Sequence, residues 1–390
     1  MGTVTAPMAL DAETALLRAS ELSARFALTA AEYDRTAAFP YANFDALSEA
    51  GLLNLTIPRS AGGSGVGLET ACRVVETIAH GEPSTALVFA MHLIYHAAAT
   101  LGGRWNPATL ERMRNDSLAG VALINVMRVE PELGTPARGG LPATTATPVE
   151  GGWSVSGHKL YSTGSPALKY FLTWARTAGD DPKVGWFAIP RGTPGVRIVE
   201  TWDHMGMRAT GSHDLVIEDA FVPDAYMLDL RPPAEWLDRD PAAGAWNGLV
   251  LASLYSGIAR SARDWLVRYL HERAPSNLGA SLATLPRMQS AVGEMEALLF
   301  TNERLLFGLA ADVDINPASI SPLSTSMAKY TANNNAVKVV DIALSLVGNP
   351  GLARSNPLER HHRDVLCSRI HVPQDEMVVL MAGKAALGIK

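Results

Sequence analysis

The chain has 390 residues, of which 47% are hydrophobic and 18% are charged, so it can bury a large core, and a disordered or fibrous protein is excluded. Thirty-three Lys and Arg residues against 39 Asp and Glu residues give a net charge of −6, and no basic cluster suggests nucleic acid or an anionic membrane as a partner. The two cysteines, Cys72 and Cys367, are too few for a disulfide framework and belong to no zinc-binding pattern, which favours a reduced, cytoplasmic setting.

The N-terminal part of the chain is predicted to be helical, because apolar residues recur every three or four positions over residues 9–118. We expect no secretory leader, since the first twenty residues lack a basic start followed by an apolar run. The most apolar stretch, 86–101, contains His92 and His96 and is judged too short to cross a bilayer. The Gly-rich run 62–67 lacks the Gly-Lys-Ser/Thr ending of a phosphate loop and is interpreted as a tight connection.

The pattern of residue types changes twice further along the chain. Residues 119–232 carry short β-branched and aromatic runs separated by Gly, Pro and Asp, which predicts a β domain. Helical periodicity then returns in four segments, about 244–272, 285–312, 322–348 and 375–388, and helices of this length usually pack as an antiparallel bundle. The predicted organisation is therefore an N-terminal helical domain (1–118), a β domain (119–232) and a C-terminal helical bundle (233–390).

Six segments in this order carry a family resemblance: IPRSAGGSGVGL (57–68), GGWSVSGHKLYSTGSPALKYFLTWAR (151–176), TWDHMGMRATGSHDLVIEDAFVP (201–223), LASLYSGIARSARDWLVRYLHER (251–273), LPRMQSAVGEMEALL (285–299) and the region 347–365. The chain resembles the acyl-CoA dehydrogenase superfamily over nearly its whole length. The resemblance implies a multidomain α+β fold, with an N-terminal helical domain, a central β-barrel and a C-terminal four-helix bundle. It also implies a homotetramer that binds flavin between barrel and bundle, completed by a neighbouring subunit.

The resemblance implies flavin contacts from Tyr161, Ser162, Thr163 and Gly164, which stand where the family's flavin-binding strand brings a hydroxyl to N5 of the ring. The alternative is that YSTG simply ends a strand in a turn.

The resemblance also implies cofactor contacts from three residues of the bundle. Arg273 matches an arginine that reaches the flavin phosphate across a subunit interface, and Gln289 matches a glutamine near the adenosine half. Gly348 keeps one glycine of a usual pair, with Asn349 at the second position. The family's spacing after the arginine is changed, which favours the shorter FMN over FAD. A solvated helix end is the alternative for Arg273.

A dehydrogenase of acyl thioesters needs a carboxylate base. At the two places where the family carries its glutamate, this sequence has Val372 and Asn247. A register shift could bring Asp375 or Glu376 to the base position instead. The family's Thr-Glu-Pro-Gly segment is also degraded here, to the residues VEPELG at 129–134.

The closest resemblance is to the branch of reduced-flavin-dependent monooxygenases that includes dibenzothiophene monooxygenase. It implies catalytic roles for His371, His92 and Thr163, because an imidazole titrates in a useful range and a hydroxyl can hold the reactive flavin. The alternatives are a satisfied helix histidine at position 92 and a loop histidine at position 371. The neighbouring His361 and His362 are interpreted as a solvated or interfacial cluster, since adjacent side chains seldom share one metal ion.

Three functions follow from these patterns. The first is a flavin-dependent monooxygenase that oxygenates a small organic substrate and receives reduced FMN from a separate reductase. The second is an FAD-dependent acyl-CoA dehydrogenase with an unrecognised base. The third is a catalytically inactive relative that serves as a binding module. The loop 205–212 resembles the family's loop at the substrate face of the flavin, and a purely structural role for it is equally compatible with the sequence.

Overall fold

The computed structural model describes residues 9–132, 140–236 and 240–389 of the chain. Its first part is built of the helices α1 (Ala12–Ala27), α2 (Ala30–Thr36), α3 (Tyr41–Glu49), α4 (Leu68–Gly81), α5 (Pro83–Gly102) and α6 (Pro107–Ala119). Capping signals in the sequence set several of their ends. Asp11 accepts a hydrogen bond from the Thr14 N–H at the start of α1, and Gly103 adopts a left-handed conformation after α5.

Helix α5 is the buried centre of the N-terminal part. Pro83 occupies its first turn, and the Glu82 carboxylate accepts hydrogen bonds from the N–H groups of Ser84 and Thr85 at 3.1 and 2.5 Å. The helix has 20 residues and is long and apolar enough to span a membrane, so the judgement that this stretch is too short was wrong. Because 67% of its most apolar window is buried inside the protein, α5 is a core helix here.

The middle part is an eight-stranded sheet of β1 (Leu123–Met127), β2 (Thr145–Val149), β3 (Gly152–Ser162), β4 (Leu168–Thr177), β5 (Val184–Pro190), β6 (Val196–Val199), β7 (His213–Pro223) and β8 (Met227–Arg231). The strand order is β6-β7-β3-β2-β4-β5-β8, and β1 pairs in parallel with β4. Strands β3 and β7 are antiparallel, and Ser162 pairs with His213 at one end. The end of β3 therefore lies beside the loop that leads into β7.

The C-terminal part contains α7 (Pro241–Glu272), α8 (Pro286–Ile315), α9 (Pro322–Val347), α10 (Asn349–Leu352), α11 (Leu358–Leu366) and α12 (Asp375–Leu387). Proline opens α7, α8 and α9, and the side chains of Asp240 and Ser321 cap α7 and α9. The four predicted bundle helices agree with α7, α8, α9 and α12 to within three residues at each end. The predicted fold class is confirmed, with helical regions on both sides of a central sheet.

The larger of two hydrophobic core clusters among the described residues extends through the three parts of the chain. It includes Phe89 of α5, Phe187 of β5 and Tyr255 of α7, each 1% exposed or less. The region where helices, sheet and bundle meet is therefore held by continuous packing, which fixes the polar side chains that project into it.

Candidate active site

Strand β3 ends in a turn that bears Tyr161, Ser162, Thr163 and Gly164. Tyr161 has a φ of 55°, and its side chain is 53% exposed. The Ser162 hydroxyl is buried and has no hydrogen-bond partner among the described residues. Gly164 has a φ of +82°, and a Cβ there would lie 2.8 Å from Val88 Cγ1, so this position requires glycine. The turn presents an aromatic ring and two hydroxyl residues side by side.

Three hydroxyl groups form a chain that leads inward from this turn. Thr163 Oγ1 lies 2.9 Å from Ser212 Oγ, which lies 2.8 Å from Thr210 Oγ1. The Thr210 hydroxyl in turn donates to the Met207 carbonyl oxygen at 2.9 Å. Ser212 and Thr210 are buried, whereas Thr163 is half-buried. The amide of Asn125 donates to the Thr163 carbonyl oxygen at 2.9 Å, so Thr163 is held through both backbone and side chain.

The loop Met205–Ser212 is attached to α11. The Met207 N–H donates to Asp364 Oδ1 at 2.7 Å, and the Arg363 guanidinium donates to the Met205 carbonyl oxygen at 2.7 Å. Gly206 passes so close to α11 that a Cβ at this position would overlap the Arg363 carbonyl oxygen. The bundle therefore sets the position of the loop that carries two members of the hydroxyl chain.

Arg363 connects three parts of the molecule. Besides Met205, its guanidinium binds the Asp34 carboxylate of α2 at 2.8 and 2.6 Å and the Glu359 carboxylate of α11 at 2.8 and 2.9 Å. Hydrogen bonds to Asp34 and Glu359 raise the pKa of Arg363 above its usual value, so the group is always charged.

Asp364 is a buried carboxyl group that sequence reasoning missed. Burial raises its pKa to about 7, the nearby Asp34 charge adds to this, and the hydrogen bond from the Met207 N–H opposes it. The side chain therefore changes protonation near neutral pH. Its only signal in the sequence is the Arg-Asp pair at 363–364.

His371 follows α11 and contacts the middle of α7. The Tyr255 hydroxyl lies 2.6 Å from His371 Nε2, and Tyr255 is fully buried. Lys329 of α9 donates to the carbonyl oxygens of His371 and Pro373 at 2.5 and 2.9 Å. Burial, Cys367 and the nearby Asp364 raise the pKa of Tyr255 well above its usual value. Tyr255 thus contacts the His371 ring and lies near the Asp364 carboxyl group.

The protonation of His371 differs from the expectation of a ring that titrates near neutral pH. Burial of the ring and the positive charge of Lys329 lower the pKa of His371 to about 3. The ring is therefore neutral at physiological pH. If its Nε2 donated to Tyr255, the buried phenol hydrogen would lack an acceptor, so the phenol donates to Nε2 and the ring hydrogen is on Nδ1.

His92, the second predicted catalytic histidine, is fully buried in α5. Its Nε2 donates to the Leu53 carbonyl oxygen at 2.9 Å, and its Nδ1 accepts from the Ile124 N–H at 3.3 Å. Burial lowers the pKa of His92 to about 4. Both ring nitrogens thus have backbone partners. The neighbouring His96 ring, 4.6 Å away between centroids, has no hydrogen-bond partner among the described residues. A catalytic role for His92 stays a prediction.

Arg273, Gln289 and Gly348 lie apart from these groups, at the ends of bundle helices. All three are exposed in the single chain. Arg273 ends α7, and Gln289 in the first turns of α8 donates to the Ala283 carbonyl oxygen at 3.0 Å. Gly348 ends α9 with a φ of +67°. Their predicted contact with a cofactor shared between subunits stays a prediction.

The two places expected for a dehydrogenase base carry no acid. Val372 follows His371, and Asn247 lies in the second turn of α7. Asp375 accepts a hydrogen bond from the Asn334 amide at 2.9 Å, and with Glu376 it lines a groove of about 510 Å³ between α9 and α12. The segment 129–134 is described only up to Glu132, so Leu133 and Gly134 lie outside the described residues.

The remaining histidines and the cysteines form no metal site in the part of the chain that the structure describes. His361 lies 3.3 Å from the Ser261 hydroxyl, and His362 lies 3.3 Å from the Asp341 carboxylate. Within residues 9–132, 140–236 and 240–389, no group of three His, Cys, Asp or Glu side chains could hold a metal ion. Cys72 and Cys367 are free thiols.

A helical part, a central sheet and a helical bundle that meet at one polar cluster define the acyl-CoA dehydrogenase fold. Family models described as the acyl-CoA dehydrogenase N-terminal, middle and C-terminal domains match residues 18–103, 127–220 and 245–387. The putative acyl-CoA dehydrogenase YdbM of Bacillus subtilis is 35% identical over 358 residues, which are 91% of each chain. The chain belongs to the acyl-CoA dehydrogenase family.

Two solved structures show that proteins that bind different small molecules share this fold. KijD3, in complex with FMN and dTDP-3-amino-2,3,6-trideoxy-4-keto-3-methyl-D-glucose, is 28% identical with a TM-score of 0.85, over 99% of this chain and 96% of that chain. TdsC of Paenibacillus sp. A11-2, in complex with FMN and indole, is 23% identical with a TM-score of 0.86, over 96% of this chain and 97% of that chain. At that identity, the likeness to TdsC shows the fold alone.

Proposed function

We propose that this protein is a flavin-dependent monooxygenase that uses reduced FMN and O₂ to oxygenate a small organic molecule. A separate reductase would supply the reduced flavin. One observation carries the proposal: Val372 and Asn247 occupy both places of the family's base, and His371, next to the first place, is fixed by the buried Tyr255. A site with an oriented neutral imidazole and no acid at the base positions favours oxygen chemistry over removal of a proton next to a thioester.

The residues at the end of β3 fit a flavin ring. The buried Ser162 hydroxyl has no partner among the described residues, and Thr163 offers a second hydroxyl beside it. The Tyr161 ring is exposed and lies 6.4 and 5.9 Å from the rings of Trp202 and His204, between centroids. An apolar and aromatic wall with a few polar groups is what an isoalloxazine requires. When bound, reduced FMN would supply two electrons to O₂.

The residues of the chain would act on protons and on water. His371 would offer the hydrogen on its Nδ1 to a polar group of the flavin or substrate, since Tyr255 occupies its Nε2. Because its pKa is about 3, His371 would donate a hydrogen bond over the whole physiological pH range and would not carry a charge. The continuous core around Tyr255 would exclude water from this side.

Further support comes from a relative outside the dehydrogenases. KijD3, 28% identical to this chain, was solved with FMN and an amino sugar nucleotide, so a primary amine is one substrate class to test.

We propose that the protein acts as a homotetramer, in which Arg273, Gln289 and Gly348 contact the cofactor of a neighbouring subunit. Size-exclusion chromatography with light scattering tests this assembly, and a monomeric protein would contradict it.

The test uses the full chain with oxidised FMN, oxidised FAD and anaerobically reduced FMN, each titrated separately. Samples with a flavin reductase, NADH and O₂ then receive amino sugar nucleotides, indoles and thiophenes, and mass spectrometry detects products that have gained oxygen. We expect binding of reduced FMN and an oxygenated product in at least one class. If flavin binds but acyl-CoA alone reduces it without oxygen, the monooxygenase proposal fails. If no flavin binds, the protein is an inactive relative.

An acyl-CoA dehydrogenase is the second candidate. It is favoured by the 35% identity with the putative dehydrogenase YdbM and by the buried Asp364, whose pKa of about 7 would suit a base. Anaerobic addition of a short-chain acyl-CoA to the FAD-loaded protein tests it. Bleaching that is lost in Asp364→Asn but retained in Asp375→Asn would establish this candidate, and absence of bleaching would exclude it.

A further inference from the structure

We propose that Ser212 and Thr210 make the site selective for the oxidation state of the flavin. In this proposal, the two hydroxyl groups keep the hydrogen of the Thr163 hydroxyl pointing inward, toward Ser212. Thr163 then offers the flavin only a hydrogen-bond acceptor, which favours reduced FMN over oxidised FMN. The inference rests on the proposed function and on the expectation from the sequence that the Thr163 hydroxyl contacts N5 of the flavin. It concerns two residues that the mechanism above does not use.

The direction of the hydroxyl chain follows from its inner end. A carbonyl oxygen can only accept, so the Thr210 hydroxyl donates to Met207 O at 2.9 Å. Each hydroxyl has a single hydrogen. Ser212 must then donate to Thr210 across 2.8 Å, and Thr163 must donate to Ser212 across 2.9 Å. In this arrangement all three hydrogens point inward, and the lone pairs of Thr163 remain for a ligand.

The opposite direction is available but forms one hydrogen bond fewer within the protein. If Thr210 donated to Ser212 and Ser212 to Thr163, the bond from Thr210 to Met207 O would be lost. Met207 O would keep two other donors, the Trp202 indole N–H at 3.0 Å and the Thr210 N–H at 3.2 Å. The direction of the hydrogen bonds in the hydroxyl chain can therefore reverse, at a cost of about one neutral hydrogen bond.

The cost of reversing the hydroxyl chain applies in solution because its two inner hydroxyl groups are buried. Thr210 is 0% exposed and Ser212 is 3% exposed, so water cannot replace a lost partner at either hydroxyl. Gly206 and Asp364 hold the Met205–Ser212 loop against α11, so the loop cannot move away to satisfy the groups differently. Only the Thr163 end of the chain is open to a ligand among these three residues.

The two states of flavin present opposite hydrogen-bonding groups at N5. Reduced flavin carries a hydrogen there and donates, whereas oxidised flavin has a lone pair and accepts. Reduced FMN would meet the inward chain with every group paired. Oxidised FMN would either leave N5 unpaired or force the chain to reverse. The reduced complex thus has one more hydrogen bond, which corresponds to about a fivefold difference in Kd.

The experiment compares the ratio of Kd for oxidised FMN to Kd for reduced FMN in the full-length protein and two variants. Ser212→Ala frees the Thr163 hydrogen to serve either flavin, and Thr210→Val removes the inner hydroxyl while keeping its shape. We expect each to reduce the ratio by about fivefold relative to the unmodified protein. Oxidised FMN is titrated by fluorescence quenching and reduced FMN by anaerobic absorbance titration.

Ser165→Ala is the matched control. Ser165 is buried in the same turn and donates a comparable hydrogen bond, to Gly211 O at 2.8 Å, but it is not part of the chain. Its ratio should equal that of the unmodified protein. If Ser212→Ala and Thr210→Val bind FMN with an unchanged ratio, or if Ser165→Ala lowers the ratio equally, the inference is wrong while the flavin proposal stands. If the unmodified protein binds neither form of FMN, the flavin proposal fails as well.

Discussion

The junction of α5 with β1 and the junction of α11 with α12 each hold a buried imidazole, and the two are fixed in different ways. At the first, both nitrogens of His92 bind backbone groups, Leu53 O and the Ile124 N–H. At the second, Nε2 of His371 binds the Tyr255 side chain, and Nδ1 remains for another partner. Backbone partners on both sides make an imidazole part of the framework. A single side-chain partner orients the ring and leaves one nitrogen for chemistry.

The largest expected effect is the loss of activity in His371→Ala. Removing a positioned hydrogen-bond donor should lower the oxygen-dependent turnover by about a thousandfold. The thermal midpoint should fall by only a few degrees, since the main structural loss is the acceptor of the buried Tyr255 hydroxyl. Product formation with reduced FMN and O₂ checks the first point, and calorimetry checks the second. Retained turnover would show that the free nitrogen of His371 takes no part in the reaction, so that His371, like His92, is only part of the framework.

His92→Ala should act mainly on stability. It leaves the Leu53 carbonyl and the Ile124 N–H without partners and opens a cavity, which should cost about 3 kcal/mol of unfolding free energy. Urea denaturation measures this loss. His96→Leu is the control, because the His96 ring is equally buried without a partner among the described residues, and its replacement should be neutral or stabilising. Equal losses in both variants would contradict the framework role of His92.

The third effect concerns the attachment of the loop. The pKa of Asp364 is raised to about 7, so the folded protein holds this proton more tightly than the unfolded chain. The stability that this provides is full below the unfolded pKa, near pH 4, and is lost as the pH rises through 7. Relative to Asp364→Asn, the unmodified protein should therefore lose about 2 kcal/mol of unfolding free energy between pH 5 and pH 8. Parallel pH profiles of the two proteins would contradict this prediction.

The smallest effect belongs to Tyr255→Phe. The substitution keeps the ring and removes the phenol hydrogen bond, so unfolding should become easier by about 1 kcal/mol. The hydrogen on His371 should then no longer be confined to Nδ1. Nitrogen NMR of histidine-labelled protein distinguishes the two neutral tautomers. An unchanged tautomer in the variant would mean that Tyr255 does not orient the ring.

Much of the fold could be predicted from the sequence, because helical periodicity and turn signals are local. The ends of α7, α8, α9 and α12 follow from proline, capping residues and apolar spacing. Thr163 and His371 can be proposed as site residues from the sequence, because they lie in recognisable segments. Their hydrogen-bond partners cannot, since Tyr255 lies 116 positions from His371 and Ser212 lies 49 positions from Thr163. The low pKa of His371 was also invisible, because Lys329 and the burying residues come from other helices.

The guanidinium of Arg363 has a consequence for how the chain is dissected. It holds Asp34 from the amino-terminal third, Met205 from the central third and Glu359 from its own helix. A cut near residue 118 or near residue 232 would separate Arg363 from Asp34. At least one of the two fragments would then carry an unpaired charge. The three segments should thus denature together as one cooperative unit, and none is suited to separate expression.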